Sequence, residues 1–288
     1  MAVRFGVMTD LHGDFMPDAE KRLMEFLKAM EREKVDFIIQ LGDFSLLKEK
    51  GAHLIRLFNS YSGDGYHVIG NHDTDDCSKE EAIELLGLKR SYYSFEYDDY
   101  RFIVLDTNIP NDVGVEFRLT SVQIEWLKKQ LLSDDKKVIL FSHGSLLNSR
   151  MGIKNKEEVH QMMDEVNEQV GYRKVIASVN GHHHFSSVHE REGVYYIDIP
   201  SISNQWLMKP YINTAIPEEL LKDYQELQHV VPYTEPLYTI VEVDEEHIRI
   251  KGKESEYQGA APDTYGHPMS IGDDELSPVL EEKVLSLQ

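Results

Sequence analysis

Gly70-Asn71-His72-Asp73 sets an amide, an imidazole and a carboxylate in a row, directly after the apolar run 66–69. In an α/β protein, loops outside the carboxyl ends of strands are where polar side chains collect around a ligand. Taken alone, such a loop reads more readily as a hydrogen-bonded turn. Its company changes that reading. Asp10 and His12 follow the apolar stretch 3–8, Asp43 follows 37–41, His143 follows 137–141, and His182 and His184 follow 174–179. Carboxylate, imidazole and amide carbonyl are the ligand types of a borderline divalent metal such as Zn, Mn or Fe(II), and no thiolate is present to suggest a structural zinc site. A hydrolytic site with two metals needs about eight protein positions, one residue filling two of them. Asp10, His12, Asp43, Asn71, His143, His182 and His184 supply seven ligands and leave the pair His72 and Asp73 over.

Strands and helices must alternate to bring these loops to one edge. In 17–34, Leu23, Phe26, Leu27 and Met30 fall at i, i+3, i+4 and i+7, the stripe of a helix packed on a sheet. A second helix over 46–59 leads to the strand before Gly70. Ser78 with Glu81, and Thr120 with Gln123, have the spacing of capping boxes that open further helices. Residues 92–97 and 101–106 flank Asp98-Asp99 as a hairpin, 157–170 reads as a helix, and 194–199 as a strand. The stretch 203–236 holds Pro210, Pro217, Pro232 and Pro236 and is expected to be an irregular, functional insertion near the site. After a hairpin over 237–251 the chain turns polar. The expected organisation is a catalytic domain over 1–252 and an acidic extension over 253–288 that packs on its surface or on a neighbour.

Composition excludes several classes. Fifty-one acidic against thirty basic residues give a formal charge of -21, a field that repels nucleic acid polymers and anionic lipid. A lone Cys77 rules out an intramolecular disulfide framework, and no 18 apolar residues run together, so the expected setting is the cytoplasm, with no membrane association. Near the ligand positions, His183 is expected to point away by strand alternation, and Asp14 to cap the helix after it. Asp106-Thr107-Asn108 ends another strand and could sit near the site or form a turn. Arg118, Arg150 and Lys209 are the nearest candidates for phosphate clamps.

The blocks Asp10-Leu11-His12, Gly42-Asp43, Gly70-Asn71-His72-Asp73, His143 and Gly181-His182-His183-His184 stand in the order D-x-H, G-D, G-N-H-D/E, H, G-H-x-H. Over roughly residues 3–200 the sequence thereby resembles the calcineurin-like metallophosphoesterases, with the cyclic-nucleotide phosphodiesterase-like enzymes among its similar small members. The resemblance implies an α/β fold, a four-layer αββα sandwich of two mixed sheets. It implies one metal on Asp10, His12, Asp43 and His184 and another on Asp43, Asn71, His143 and His182, with Asp43 bridging. It also implies a phosphohydrolase using two divalent ions (Mn, Fe or Zn), in which a metal-bridging hydroxide attacks phosphorus. His72 is then free to protonate the leaving oxygen, with Asp73 fixing its tautomer, and Asn71 and His72 face the phosphate. A small phosphorylated substrate is expected, a diester before a monoester. The competing readings are a phosphomonoesterase, a nucleotide diphosphate hydrolase, or a non-catalytic scaffold on the same fold. Complete ligand blocks speak against the scaffold.

Overall fold

A computed structural model of the chain describes residues 2–111, 114–148 and 151–288, so Arg150 lies outside the described residues. Its first sheet orders six strands as Lys283–Ser286, His247–Ile250, Thr239–Val243, Val3–Met8, Phe37–Gln40 and Asp64–His67. Its second runs Ser187–Arg191, Val194–Asp198, Val175–Asn180, Lys137–Ser142, Tyr100–Val104 and Tyr93–Tyr97. Both sheets are mixed. Val3–Met8 is parallel to Phe37–Gln40 and antiparallel to Thr239–Val243, while Lys137–Ser142 is parallel to both of its neighbours.

The inner strands read as near-continuous apolar runs because both of their faces are covered. Between the sheets, Phe5 stacks on Phe37 at 4.9 Å and meets Phe102 and Phe141 edge-on at 5.5 and 5.6 Å. On the outer face of the first sheet, Leu23, Phe26 and Met30 of the helix Ala19–Glu33 join Leu54, Ile55 and Phe58 of the helix Ala52–Phe58. On the second, the helices Ser121–Leu131 and Lys156–Val170 cover Ile103, Leu140 and Tyr196. Helix, sheet, sheet and helix make four layers. No helix among the described residues is long and apolar enough to cross a membrane.

Some elements depart from the sequence reading. The helix over 46–59 is split into a π-type turn Leu47–Gly51 and the helix Ala52–Phe58, because the Gly51 N–H reaches back to the Leu46 carbonyl at 2.8 Å. Asp14 does not cap the helix after it: the first long helix begins at Ala19, behind Asp18. Thr120 does accept the Gln123 N–H, but no reciprocal bond forms, since the Gln123 amide instead pairs with the Asp106 backbone in both directions at 2.8 Å. Within 203–236, Asn204–Trp206 pairs with Val230–Pro232, and Leu227 and Val230 enter the helical core, so this insertion is tied down. The last strand, Lys283–Ser286, extends the first sheet on His247–Ile250.

One buried histidine near the site makes the fold acid-sensitive. Gln40 gives its Oε1 to the Gly42 N–H at 2.6 Å, which turns its Nε2 toward His67 Nδ1 at 3.2 Å and the Val68 carbonyl at 2.9 Å. His67 Nε2 donates to Asn59 Oδ1 at 2.9 Å. A second ring proton would face the Gln40 amide, itself a donor, and burial already lowers the His67 pKa from 6.5 to about 4. Below pH 6.5 the unfolded chain takes up a proton that the folded chain refuses. Stability from this group is therefore complete above pH 6.5 and is lost as pH falls to about 4, by on the order of 3 kcal/mol. Urea unfolding of the wild type and of His67→Phe across that range measures it. The wild-type advantage at pH 7 is expected to shrink as pH falls; a constant difference contradicts the assignment.

Candidate metal centre

The ligand candidates all sit where strands of the two sheets stop, and the backbone there is bent against its preference. Among the described residues, eight non-glycines have positive φ, and five of them are Asp10, His12, Asp43, His182 and His184. Each such residue costs on the order of 1 kcal/mol or more, so the surrounding structure holds these side chains in one place at the expense of stability. Crossing hydrogen bonds supply the restraint: the Asp10 N–H donates to the Gly42 carbonyl at 3.0 Å and the His12 N–H to the Asp43 carbonyl at 3.1 Å. Gly70 is required by that crossing, since a Cβ there would lie 2.1 Å from the Asp43 nitrogen and 2.2 Å from its Oδ1.

Two triads result. Asp10, His12 and His184 each offer a ligand atom within 4.8 Å of the others, and so do Asp43, His143 and His182. The donor chemistry fits two cations. His184 Nδ1 meets the Asn204 carbonyl at 3.0 Å and His143 Nδ1 meets the Leu41 carbonyl at 2.8 Å. A carbonyl only accepts, so both Nδ1 atoms carry the proton and both Nε2 lone pairs point inward. His184 Nε2 lies 3.2 Å from His12 Nε2 and 3.2 Å from Asp10 Oδ1, a buried oxygen with no hydrogen-bond partner. His143 Nε2 lies 3.1 Å from Asp43 Oδ2 and 3.1 Å from Asn71 Oδ1. Lone pairs converging in this way, with an orphaned carboxylate oxygen among them, are what a divalent ion satisfies.

The buried carboxylates and imidazoles of the pocket shift one another's titration. Burial pushes Asp10 and Asp43 toward the neutral form, yet His184 beside Asp10 and His143 beside Asp43 hold both below the usual carboxylate range. Burial, with His184 beside it, lowers His12 to about 3. His182 is lowered well below its usual value by burial and by His143. Burial opposes charge on His143, but Asp43 raises its pKa to about 9, and since neutral imidazoles and deprotonated carboxylates are the forms that bind metal, an ion there would displace that proton.

His72 stands at the rim, 39% exposed, with Nδ1 2.6 Å from Asp75 Oδ2. The carboxylate beside His72 is thus Asp75, and the expectation that Asp73 fixes its tautomer is corrected. Asp73 is fully buried and takes the backbone N–H groups of Gly70 at 2.7 Å, Phe44 at 2.7 Å, Asp43 at 3.1 Å and Ser45 at 3.3 Å. It latches the loop carrying Asp43 to the loop carrying Asn71. A helical turn over His72–Thr74 explains the exchange of roles, because it brings residue i+3, not i+1, beside the imidazole.

Residues 106–108 brace the same loops. Asp106 binds Lys79 Nζ at 2.7 Å, Thr107 Oγ1 accepts the Gly144 N–H at 3.0 Å, and Asn108 Nδ2 donates to the Ile69 carbonyl at 2.6 Å. His183 turns from the triads to Asp198 at 2.6 Å. Arg118 pairs with Glu116 at 3.5 Å, and Lys209 is exposed. Two contributors had no sequence signal. Asn204, which orients His184, and Trp206, whose ring lies 5.7 Å from that of His72, both belong to the 203–236 insertion.

The sequence model of the calcineurin-like phosphoesterase family matches residues 3–186, more than half of the chain. A probable cyclic nucleotide phosphodiesterase of Psychrobacter arcticus is 25% identical over 224 residues, which span 70% of this chain and 75% of that protein. A dimetal phosphatase from Danio rerio has a similar structure, with a TM-score of 0.64 at 16% identity over 99% of each chain. The inner-membrane-complex anchor GAP50 of Plasmodium reaches a TM-score of 0.56 at 15% identity, over 91% of this chain and 86% of its own. At such identities the two structural likenesses speak for the fold alone.

Proposed function

The chain belongs to the calcineurin-like phosphoesterase family and is a hydrolase of phosphate esters, and on that premise we propose that it cleaves phosphodiesters at two divalent ions sharing Asp43. The observation that carries this reading is the pair of adjacent triads with inward lone pairs. Asp10, His12, Asp43 and His184 would hold one ion, and Asp43, Asn71, His143 and His182 the other. When bound, such ions supply Lewis acidity and lower the pKa of water enough for attack on phosphorus near neutral pH. The diester preference rests on the name of the Psychrobacter relative and on charge, since a diester brings one negative charge to a protein at -21 and a monoester up to two. Residues 1–252 are taken as the catalytic unit and 253–288 as an extension to it. A reducing, cytoplasmic setting suits Cys77, a partly buried thiol pushed up to about 11 by burial and Asp76.

His72 is assigned the proton for the leaving oxygen. Burial opposes its charge, but Asp43 and Asp75 raise its pKa to about 10, and Asp75, hydrogen-bonded to Nδ1, favours the protonated ring. With Nδ1 on Asp75, Nε2 is the nitrogen left to donate. General acid catalysis contributes about 10²–10⁴. His72→Ala, with metal content checked by elemental analysis, is expected to lower kcat about a hundredfold or more on alkyl diesters and far less on p-nitrophenyl esters, whose leaving group needs no proton. Equal losses on both remove the acid role.

The overall reading is tested by turnover of bis-p-nitrophenyl phosphate against p-nitrophenyl phosphate with Mn, Fe(II) or Zn. A higher kcat/KM on the diester is the expected result. Preference for the monoester favours a phosphatase. Hydrolysis of neither, with two ions bound, favours the scaffold reading.

A further inference from the structure

Strand alternation puts residues i and i+2 on one face, and the Asn204 side chain already faces the pocket, its Oδ1 3.1 Å from His184 Nδ1. Trp206 therefore faces it too. Its ring centroid lies 5.4 Å from His12, 5.7 Å from His184 and 5.7 Å from His72, and it is inclined only 20° to the His72 plane. Trp206 packs edge-on against Phe15 at 5.9 Å on one side and stays partly exposed beside the partly exposed His72 on the other. At the other triad, Phe117 lies 4.5 Å from the His182 ring, so aromatic rings flank both halves of the centre. Three cations near the site are engaged with other groups, Lys79 with Asp106, Lys50 with the Asp14 carbonyl and Arg118 with Glu116, while Lys209 is exposed. Among the described residues, Trp206 and Phe117 give this rim flat apolar surface for the rest of a substrate.

We infer that Trp206 is a specificity-determining stacking platform, which selects phosphate esters carrying an aromatic ring close to phosphorus, nucleosides among them. This rests on the phosphoesterase reading of the same site. A ring stacked on Trp206 would lie next to His72, on the side where that reading places the leaving oxygen.

The test is isothermal titration of the zinc-loaded protein with benzylphosphonate and with propylphosphonate, equal in charge and free of a hydrolysable ester. Stacking on one ring predicts that benzylphosphonate binds about tenfold tighter or more. Trp206→Ala is expected to erase that preference while leaving propylphosphonate binding unchanged, and Trp206→Phe to keep most of it. In a Trp126→Phe background, which leaves Trp206 as the sole tryptophan, its emission should shift with the benzyl ligand alone. Equal binding of the two ligands by the wild type overturns the inference, as does Trp206→Ala weakening both alike, which marks a supporting role for the ring. Binding of neither ligand contradicts the phosphoesterase reading as well.

Discussion

Asp43→Asn is expected to lower kcat/KM about a thousandfold or more and to leave at most one tightly held ion per chain. The charge of Asp43 is felt in both triads, where it favours the charged forms of His12 and His143 as Asp10 does, and Asp43 belongs to the second triad by distance. Its Oδ1 accepts the His72 N–H at 2.8 Å and its Oδ2 faces His143 Nε2 at 3.1 Å. Asparagine keeps the shape and one acceptor but loses the negative charge and one metal-binding oxygen. Outer groups that merely orient a ligand are worth about ten- to a hundredfold, so a residue shared by two ions should exceed that range. Elemental analysis together with kcat/KM checks both halves of the expectation. Two retained ions with near-normal turnover would remove Asp43 from the bridging role.

Asp73→Ala is the second large effect, and it acts on stability before chemistry. The substitution strips the acceptor from four backbone N–H groups, those of Asp43, Phe44, Ser45 and Gly70, in a fully buried place. An unsatisfied buried donor costs about 1–3 kcal/mol, so even the low end of that range, over four donors, sums to about 4 kcal/mol. A domain's whole stability is about 5–15 kcal/mol. Urea unfolding of metal-free protein, where ligand loss cannot contribute, should show this drop. A change below about 1 kcal/mol would mean that water replaces the latch.

The sequence displayed the site's chemistry better than its geometry. Each ligand candidate follows an apolar run, and a chain entering a two-sheet sandwich must put such run ends along one rim, so the gathering of Asp10, Asp43, Asn71, His143 and His184 was legible. Which carboxylate serves which partner was not. Asp73 and Asp75 differ by two positions, and only the helical turn at His72–Thr74 decides that Asp75 meets the imidazole. Gln123 has capping-box spacing, yet the Asp106 backbone outcompetes the cap, a tertiary contact that local pattern does not encode. The insertion over 203–236 looked structureless because its prolines and scattered apolar residues follow no period. Its order comes from a strand pair only three residues long on each side, and that pair delivers Asn204 and Trp206. The left-handed backbone at Asp10, His12, Asp43, His182 and His184 also has no compositional mark, since glycine is the usual signal for it.

Manganese titration followed by electron paramagnetic resonance tests the shared-carboxylate centre most directly, because strong exchange coupling between two ions runs through a ligand they share. The account predicts that the second equivalent of Mn(II) replaces the spectrum of isolated ions with that of an exchange-coupled pair, and that Asp43→Asn abolishes the coupling. Two equivalents that remain magnetically isolated, or a chain saturated by a single ion, would contradict it.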